Sequence, residues 1–218
     1  MFRRGPCLAA AFVGLAACAT EAPDAPSQPT VAIETPDGTG AVTGISVLRF
    51  GARVTGLTAP SLAWSFGDGA NAVGASVTHR FDAEGSPAVT VTATGTEGVA
   101  TATVSVRSRT LTGRWVSTVL PCPANLSCWV NDLVQQGTVL TGQWTFSYAD
   151  TDPRREPRGS LVNAVATSPR GITFTQDGDC RRVFRGTMDP SLESITGTTV
   201  EVLNFSCAFG ESWTFRRQ

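Results

Sequence analysis

The sequence predicts an all-β protein, a β-sandwich followed by a small antiparallel β-barrel, and three observations predict it. Thr, Val, Gly and Ser are abundant among the 218 residues, and the alternating Leu, Glu and Ala stretches that build helices are missing. β-Branched side chains pack well on a pleated surface, while Gly, Pro, Asn and Asp supply the turn conformations that end strands. From Thr30 to the end, short runs alternating with period two recur at even spacing, each bounded by turn residues. A chain of this length holds one large domain or two small ones.

The leading residues stand apart from that pattern. Met1-Phe2-Arg3-Arg4 is a short positive start, Cys7 to Ala17 is almost wholly apolar, and the run ends Leu15-Ala16-Ala17-Cys18. It is too short to span a bilayer and resembles a secretory signal peptide. Its last four residues resemble the bacterial lipobox, in which the chain is cut just before a cysteine that receives a diacylglycerol thioether. That resemblance implies a lipoprotein signal peptide over residues 1–17, lipidation at Cys18, and a membrane partner reached through the lipid. An ordinary signal peptide cut after Ala19 is the alternative, since Ala17-Cys18-Ala19 also fits a small-x-small site. By resemblance to Gram-negative sorting, Ala19 in place of an aspartate implies the outer membrane; without an anchor the protein is secreted or periplasmic. Residues 18–29 carry Pro23, Pro26 and Pro29 among small residues and two acids, a composition that cannot build a core and reads as a disordered tether.

Residues 30–108 form the expected first domain. Strands are expected at Val31 to Ile33, Ser46 to Val54, Leu62 to Phe66 and Ser76 to Phe81. Ala88 to Thr94 and Ala100 to Val106 read as a hairpin closed by Gly95-Thr96-Glu97-Gly98. Trp64-Ser65-Phe66-Gly67-Asp68-Gly69, His79-Arg80-Phe81, Ala83-Glu84-Gly85 and Val89-Thr90-Val91-Thr92 together resemble the motifs of the PKD domain family. The resemblance implies an immunoglobulin-like sandwich of the accessory or spacer kind found on bacterial surface proteins. Ser65 departs from it, because the family usually has aspartate there, and this weakens any metal site built from that pair. Trp64 and Phe66 alternate inward to supply core area, and Asp68 is placed to bond turn amides. His79 is the chain's sole histidine and reads as a strand residue bonding a neighbour rather than a metal ligand or general base.

Residues 109–218 form the expected second domain. Runs at Leu111 to Trp115, Cys128 to Val130, Gly137 to Phe146, Ser160 to Val165, Gly171 to Thr175, Arg182 to Met188, Ser194 to Val202 and Ser212 to Arg216 suit an up-and-down barrel, with a second sandwich as the competitor. Asp177-Gly178 reads as a hairpin turn. Leu-Thr-Gly-x-Trp occurs at Leu111 and again at Leu140, and Gly113-x-Trp115 with Arg216 is similar to the G-x-W and closing arginine of lipocalin-like barrels. That resemblance implies an arginine packed across the Trp115 face and a ligand pocket at the barrel mouth, either open or filled by Trp115, Trp144, Phe174 and Phe184. An exported chain meets an oxidising compartment, so Cys122, Cys128, Cys180 and Cys207 are expected as two disulfides. Cys122–Cys128 and Cys180–Cys207 are the preferred pairing, with the other connectivities open. No Cys-x-x-Cys spacing or neighbouring histidine favours zinc.

Charge and motifs narrow the function. A net charge of −1 with 16% charged residues offers no field for nucleic acid. All 17 basic residues are arginine, which removes lysine chemistry. No phosphate loop or His-Glu-x-x-His occurs, so neither cofactor nor metal is expected. The leading reading is a non-catalytic envelope lipoprotein that binds a glycan, a protein or the cell wall. The alternatives are a lipocalin-like carrier of a small apolar ligand and a hydrolase using carboxylates alone, with Asp150, Asp152, Glu156, Asp177, Asp179, Asp189, Glu193, Glu201 and Glu211 as candidates, most of them in apparent turns.

Overall fold

The computed structural model describes residues 28–117, 128–147, 158–178, 181–202 and 212–218, and every regular element among them is a strand. The first unit contains β1 (Thr30–Glu34), β2 (Gly40–Val42), β3 (Val47–Thr55), β4 (Ser61–Ser65), β5 (Asn71–Val73), β6 (Ser76–Arg80), β7 (Ala88–Gly95), β8 (Gly98–Ser105) and β9 (Arg107–Arg109). One sheet has the order β1-β3-β6 and the facing sheet β5-β4-β7-β8, while β2 and β9 pair in parallel as a ribbon of their own. Alternation puts Leu48, Phe50 and Val77 of one sheet against Trp64, Val89 and Val91 of the other, so the expected sandwich closes on one core. The Gly95–Gly98 hairpin forms as its turn residues require.

The Trp64–Gly69 motif holds the two sheets together at one edge. The Trp64 indole donates to the Gly74 carbonyl at 2.9 Å, and the Asp68 carboxylate accepts from the Ala70 amide at 3.1 Å. His79, on the opposite sheet, lies 2.6 Å from the same carboxylate and stacks on Phe66 with centroids 4.0 Å apart. Burial acts to raise the Asp68 pKa, but the His79 bond and the Ala70 amide outweigh it and hold the carboxyl below its usual range. His79 is therefore part of the sandwich's own packing.

The second unit is a closed barrel of β10 (Gly113–Ser117), β11 (Cys128–Gln136), β12 (Val139–Ser147), β13 (Arg158–Thr167), β14 (Gly171–Gly178), β15 (Arg182–Met188), β16 (Ser194–Val202) and β17 (Ser212–Arg217). Each strand pairs antiparallel with the next, and β10 pairs with β17 to close the ring. Closure leaves no sheet edge to pair with another chain. Trp115, Trp144, Phe174 and Phe184 all point inward and are buried in one cluster with Leu133, Leu161 and Phe215, so aromatic rings fill the middle of the barrel.

Two local expectations are corrected. The arginine over the Trp115 face is Arg217, 5.5 Å from the ring centroid; Arg216 points outward. Period two explains this, because Phe215 points inward and Arg217 shares its face. Asp177-Gly178 is the end of β14 and not a turn, with Gly178 opposite Gly159 of β13. Both glycines are needed for close approach. A Cβ on Gly159 would stand 1.7 Å from the Asp177 carbonyl and 2.7 Å from the Trp144 indole nitrogen, which donates to that same carbonyl at 2.9 Å.

Candidate functional site

The barrel has two ends of opposite character. At the end entered from the sandwich, the β2–β9 ribbon and the turn after β2 close the opening. Val42 is fully buried in the barrel's own core cluster beside Leu111, Met188 and Leu192, and Ile45 packs against it. Gln135, at the end of β11, accepts from the Leu111 amide at 2.8 Å and donates to the Thr43 carbonyl at 2.7 Å and the Gly137 carbonyl at 2.8 Å. The Ser46 hydroxyl donates to the Pro169 carbonyl, and the Val47 amide donates to the Ser168 hydroxyl at 3.0 Å. Glu193, between β15 and β16, receives Arg107 at 2.8 Å and Arg109 at 2.6 Å. Arg170 donates to the Asp37 carbonyl, and Gly40 comes so near Pro190 that a Cβ would lie 2.0 Å from its carbonyl oxygen. The sandwich thus stoppers this end of the barrel with apolar packing inside and hydrogen bonds around it.

The far end is lined differently. Strand alternation carries Ser117, Asn131, Gln176 and Arg182 inward there, and all four are buried. Aromatic rings surround them: Trp129 lies 5.4 Å from Trp144, 4.4 Å from Phe146 and 5.8 Å from Trp213. The Arg182 guanidinium sits 4.0 Å over the Trp129 ring, a cation–π contact. Gln176 reaches across the interior from β14 to donate to the Asn131 carbonyl at 2.8 Å. Trp129, Gln176, Arg182, Thr199 and Trp213 are among the walls of a void of about 10 Å³, room for about one water-sized group.

Polar satisfaction separates these residues from an ordinary core. Arg182 is 5% exposed, and no carboxylate among the described residues pairs with it. Its Nε is buried without an acceptor, and burial alone pushes the guanidinium pKa down. Asn131 Nδ2, Thr199 Oγ1 and Ser117 Oγ are also buried and unpartnered. Buried polar groups are nearly always satisfied in native proteins, so a layer with four such atoms calls for an occupant.

The expected site residues fall as follows. Cys18, Cys122, Cys180 and Cys207 lie outside the described residues; Cys128 opens β11 opposite Ser147. Asp150, Asp152, Glu156, Asp179 and Glu211 lie outside them as well. Asp177 faces Arg181 at 3.4 Å, while Asp189 and Glu193 are engaged at the stoppered end. Among the described residues, no three His, Cys, Asp or Glu side chains converge as metal ligands would. From the sequence alone Arg182 reads only as a strand member. The signal was present, because Phe184, Gly186 and Met188 mark the inward face of β15 and Arg182 lies in step with them.

A solved structure from work on the promiscuous specificity of carbohydrate-binding modules of the β-sandwich superfamily is 14% identical, covering 89% of this chain and 86% of that chain with a TM-score of 0.37. No curated protein matches the chain. Residues 27–110 match the PKD domain family model. The sandwich that stoppers the barrel is therefore an immunoglobulin-like PKD domain.

Proposed function

We propose that the chain is an exported, non-catalytic envelope lipoprotein, anchored to the outer membrane through Cys18, whose barrel binds a glycan, protein or cell-wall component at the end away from the PKD domain. The observation that carries this reading is the asymmetry of the barrel. One end is consumed by the PKD domain, and the interior between the ends is filled by aromatic side chains. In this reading the polar, aromatic far end, which no described residue of the PKD domain touches, meets the partner. A packed interior favours such a module over the hollow carrier, since small-molecule carriers enclose most of their ligand in a cavity of hundreds of Å³. In this reading residues 18–29 lift the folded part from the lipid headgroups, and Cys122–Cys128 and Cys180–Cys207 brace the barrel as disulfides formed after export.

Expression in a Gram-negative host with an alkyne fatty acid tests the anchor. The wild-type chain takes up label and Cys18→Ala does not; label on both refutes anchoring at this residue. Intact mass with and without reductant reads the cysteines, and four free thiols in the exported protein contradict the disulfides. Binding is tested by immobilising the mature chain against solubilised envelope from the same cells. Retention of a component that Trp213→Ala reduces supports the far-end site, and retention unaffected by that change places binding elsewhere.

A further inference from the structure

We infer that the far end of the barrel is a carboxylate-binding site, with the Arg182 guanidinium, backed by Trp129, as anchor and Trp213 as a wall for the rest of the ligand. This deepens the binding-module reading above and rests on it. An arginine does not neutralise itself by losing its proton, so a buried guanidinium without a counter-charge keeps its full desolvation cost. Among the described residues none meets that charge, although Arg182 is nearly inaccessible and Trp129 covers one face of it. An anion entering from the barrel mouth supplies the missing partner.

The remaining unpartnered atoms specify what kind of anion. Arg182 Nε and Asn131 Nδ2 only donate, and the Thr199 hydroxyl is able to donate. The Asn131 carbonyl already takes the Gln176 amide, so among the unpartnered atoms donors outnumber acceptors. A group that only accepts, through two oxygens in one plane, matches a guanidinium edge better than any neutral group. The void is about 10 Å³; it admits little more than the head of such a group, about the size of one water. The body of the ligand must then lie outward along the partly buried Trp213, which meets the buried Trp129 edge-on at 82° with centroids 5.8 Å apart. A flat or ring-shaped carboxylate suits such a wall, with one face on the indole.

Benzoate is the probe, with benzamide as its neutral counterpart of the same shape. Thermal unfolding and tryptophan emission of the mature full chain are recorded as each is titrated at fixed ionic strength. Benzoate is expected to raise the melting temperature and alter the emission saturably, while benzamide does neither at the same concentrations. Arg182→Met, whose folding is checked by circular dichroism, is expected to weaken benzoate by at least about tenfold, the worth of a charge-assisted hydrogen bond. Thr199→Val is a second variant with a smaller loss. Unchanged melting with benzoate overturns the inference, as does an equal response in Arg182→Met. Stabilisation by sulfate but not benzoate, dependent on Arg182, overturns the carboxylate assignment. If benzoate fails while an envelope component is still retained at the far end, this inference falls and the binding-module reading stands. If benzoate binds through Arg182 while nothing from the envelope is retained, the reverse holds.

Discussion

Two arginines inside the barrel, one near each end, show how differently the ends are built. Arg217 lies at the PKD end over Trp115 and donates to the Thr112 carbonyl. Burial pushes its pKa down and Arg109 adds to that, but Glu193 and Glu84 push the other way. Arg182 lies at the far end over Trp129, and burial acts on it unopposed. Both guanidiniums sit on an indole and both keep one buried nitrogen without a partner, but among the described residues only the first has carboxylates acting on it. The same side chain is structural where its charge is met and a recognition element where it is not.

Tryptophan truncation gives the largest expected contrast. Trp115 is fully buried and donates to the Leu111 carbonyl at 3.1 Å; Trp115→Ala is expected to cost about 3–5 kcal/mol in urea unfolding. Trp213 is only partly buried, and Trp213→Ala is expected to cost about 1–2 kcal/mol. Equal losses would mean the far end is packed as tightly as the other and has no exposed wall. The stopper is broken more gently by Gly40→Ala, whose Cβ meets the Pro190 carbonyl. Overpacking of this kind costs about 1–3 kcal/mol. Calorimetry is expected to show one transition for the wild type and two for the variant, as barrel and sandwich uncouple.

Acid gives the smallest effect, and it reaches carboxyls at the PKD end. Burial acts to raise the Asp189 pKa, but bonds from the Ser191 hydroxyl and the Ser194, Ser191 and Glu193 amides outweigh it and hold the carboxyl low. Bonds from Thr110 lower Glu84, and the Arg49 side chain lowers Asp37. Groups with depressed folded-state values contribute stability that is present above their unfolded values, near about pH 4, and lost as pH falls through the folded values. Unfolding free energy is therefore expected to fall from about pH 4 downward, and less steeply in Asp189→Asn. An identical slope in that variant would remove Asp189 from the account.

Much of the fold was legible in the sequence because strand alternation and turn chemistry are local. The Trp64–Gly69 motif, the Gly95–Gly98 hairpin and the eight barrel runs each announce themselves within a few residues. What escaped is tertiary. Gly40–Val42 is too short to read as a strand, and its burial depends on a barrel that begins more than 70 residues later. Asp177-Gly178 has the composition of a turn, but the demand of Trp144 for the Asp177 carbonyl keeps it in a strand. Arg182 was within reach of the alternation rule, though its lack of a carboxylate partner among the described residues was not, since charge pairing across a barrel depends on which strands face each other.

The most direct test compares Arg182→Met with Arg217→Met by chemical unfolding of the ligand-free chain. The account predicts opposite signs. Arg182→Met stabilises because an unmet buried charge is removed. Arg217→Met destabilises by about 1 kcal/mol or more, because the Thr112 carbonyl loses its donor and Glu193 and Glu84 lose a nearby positive charge. Destabilisation of similar size in both would show that Arg182 is satisfied within the fold, and the distinction between a structural end and a recognition end would be wrong.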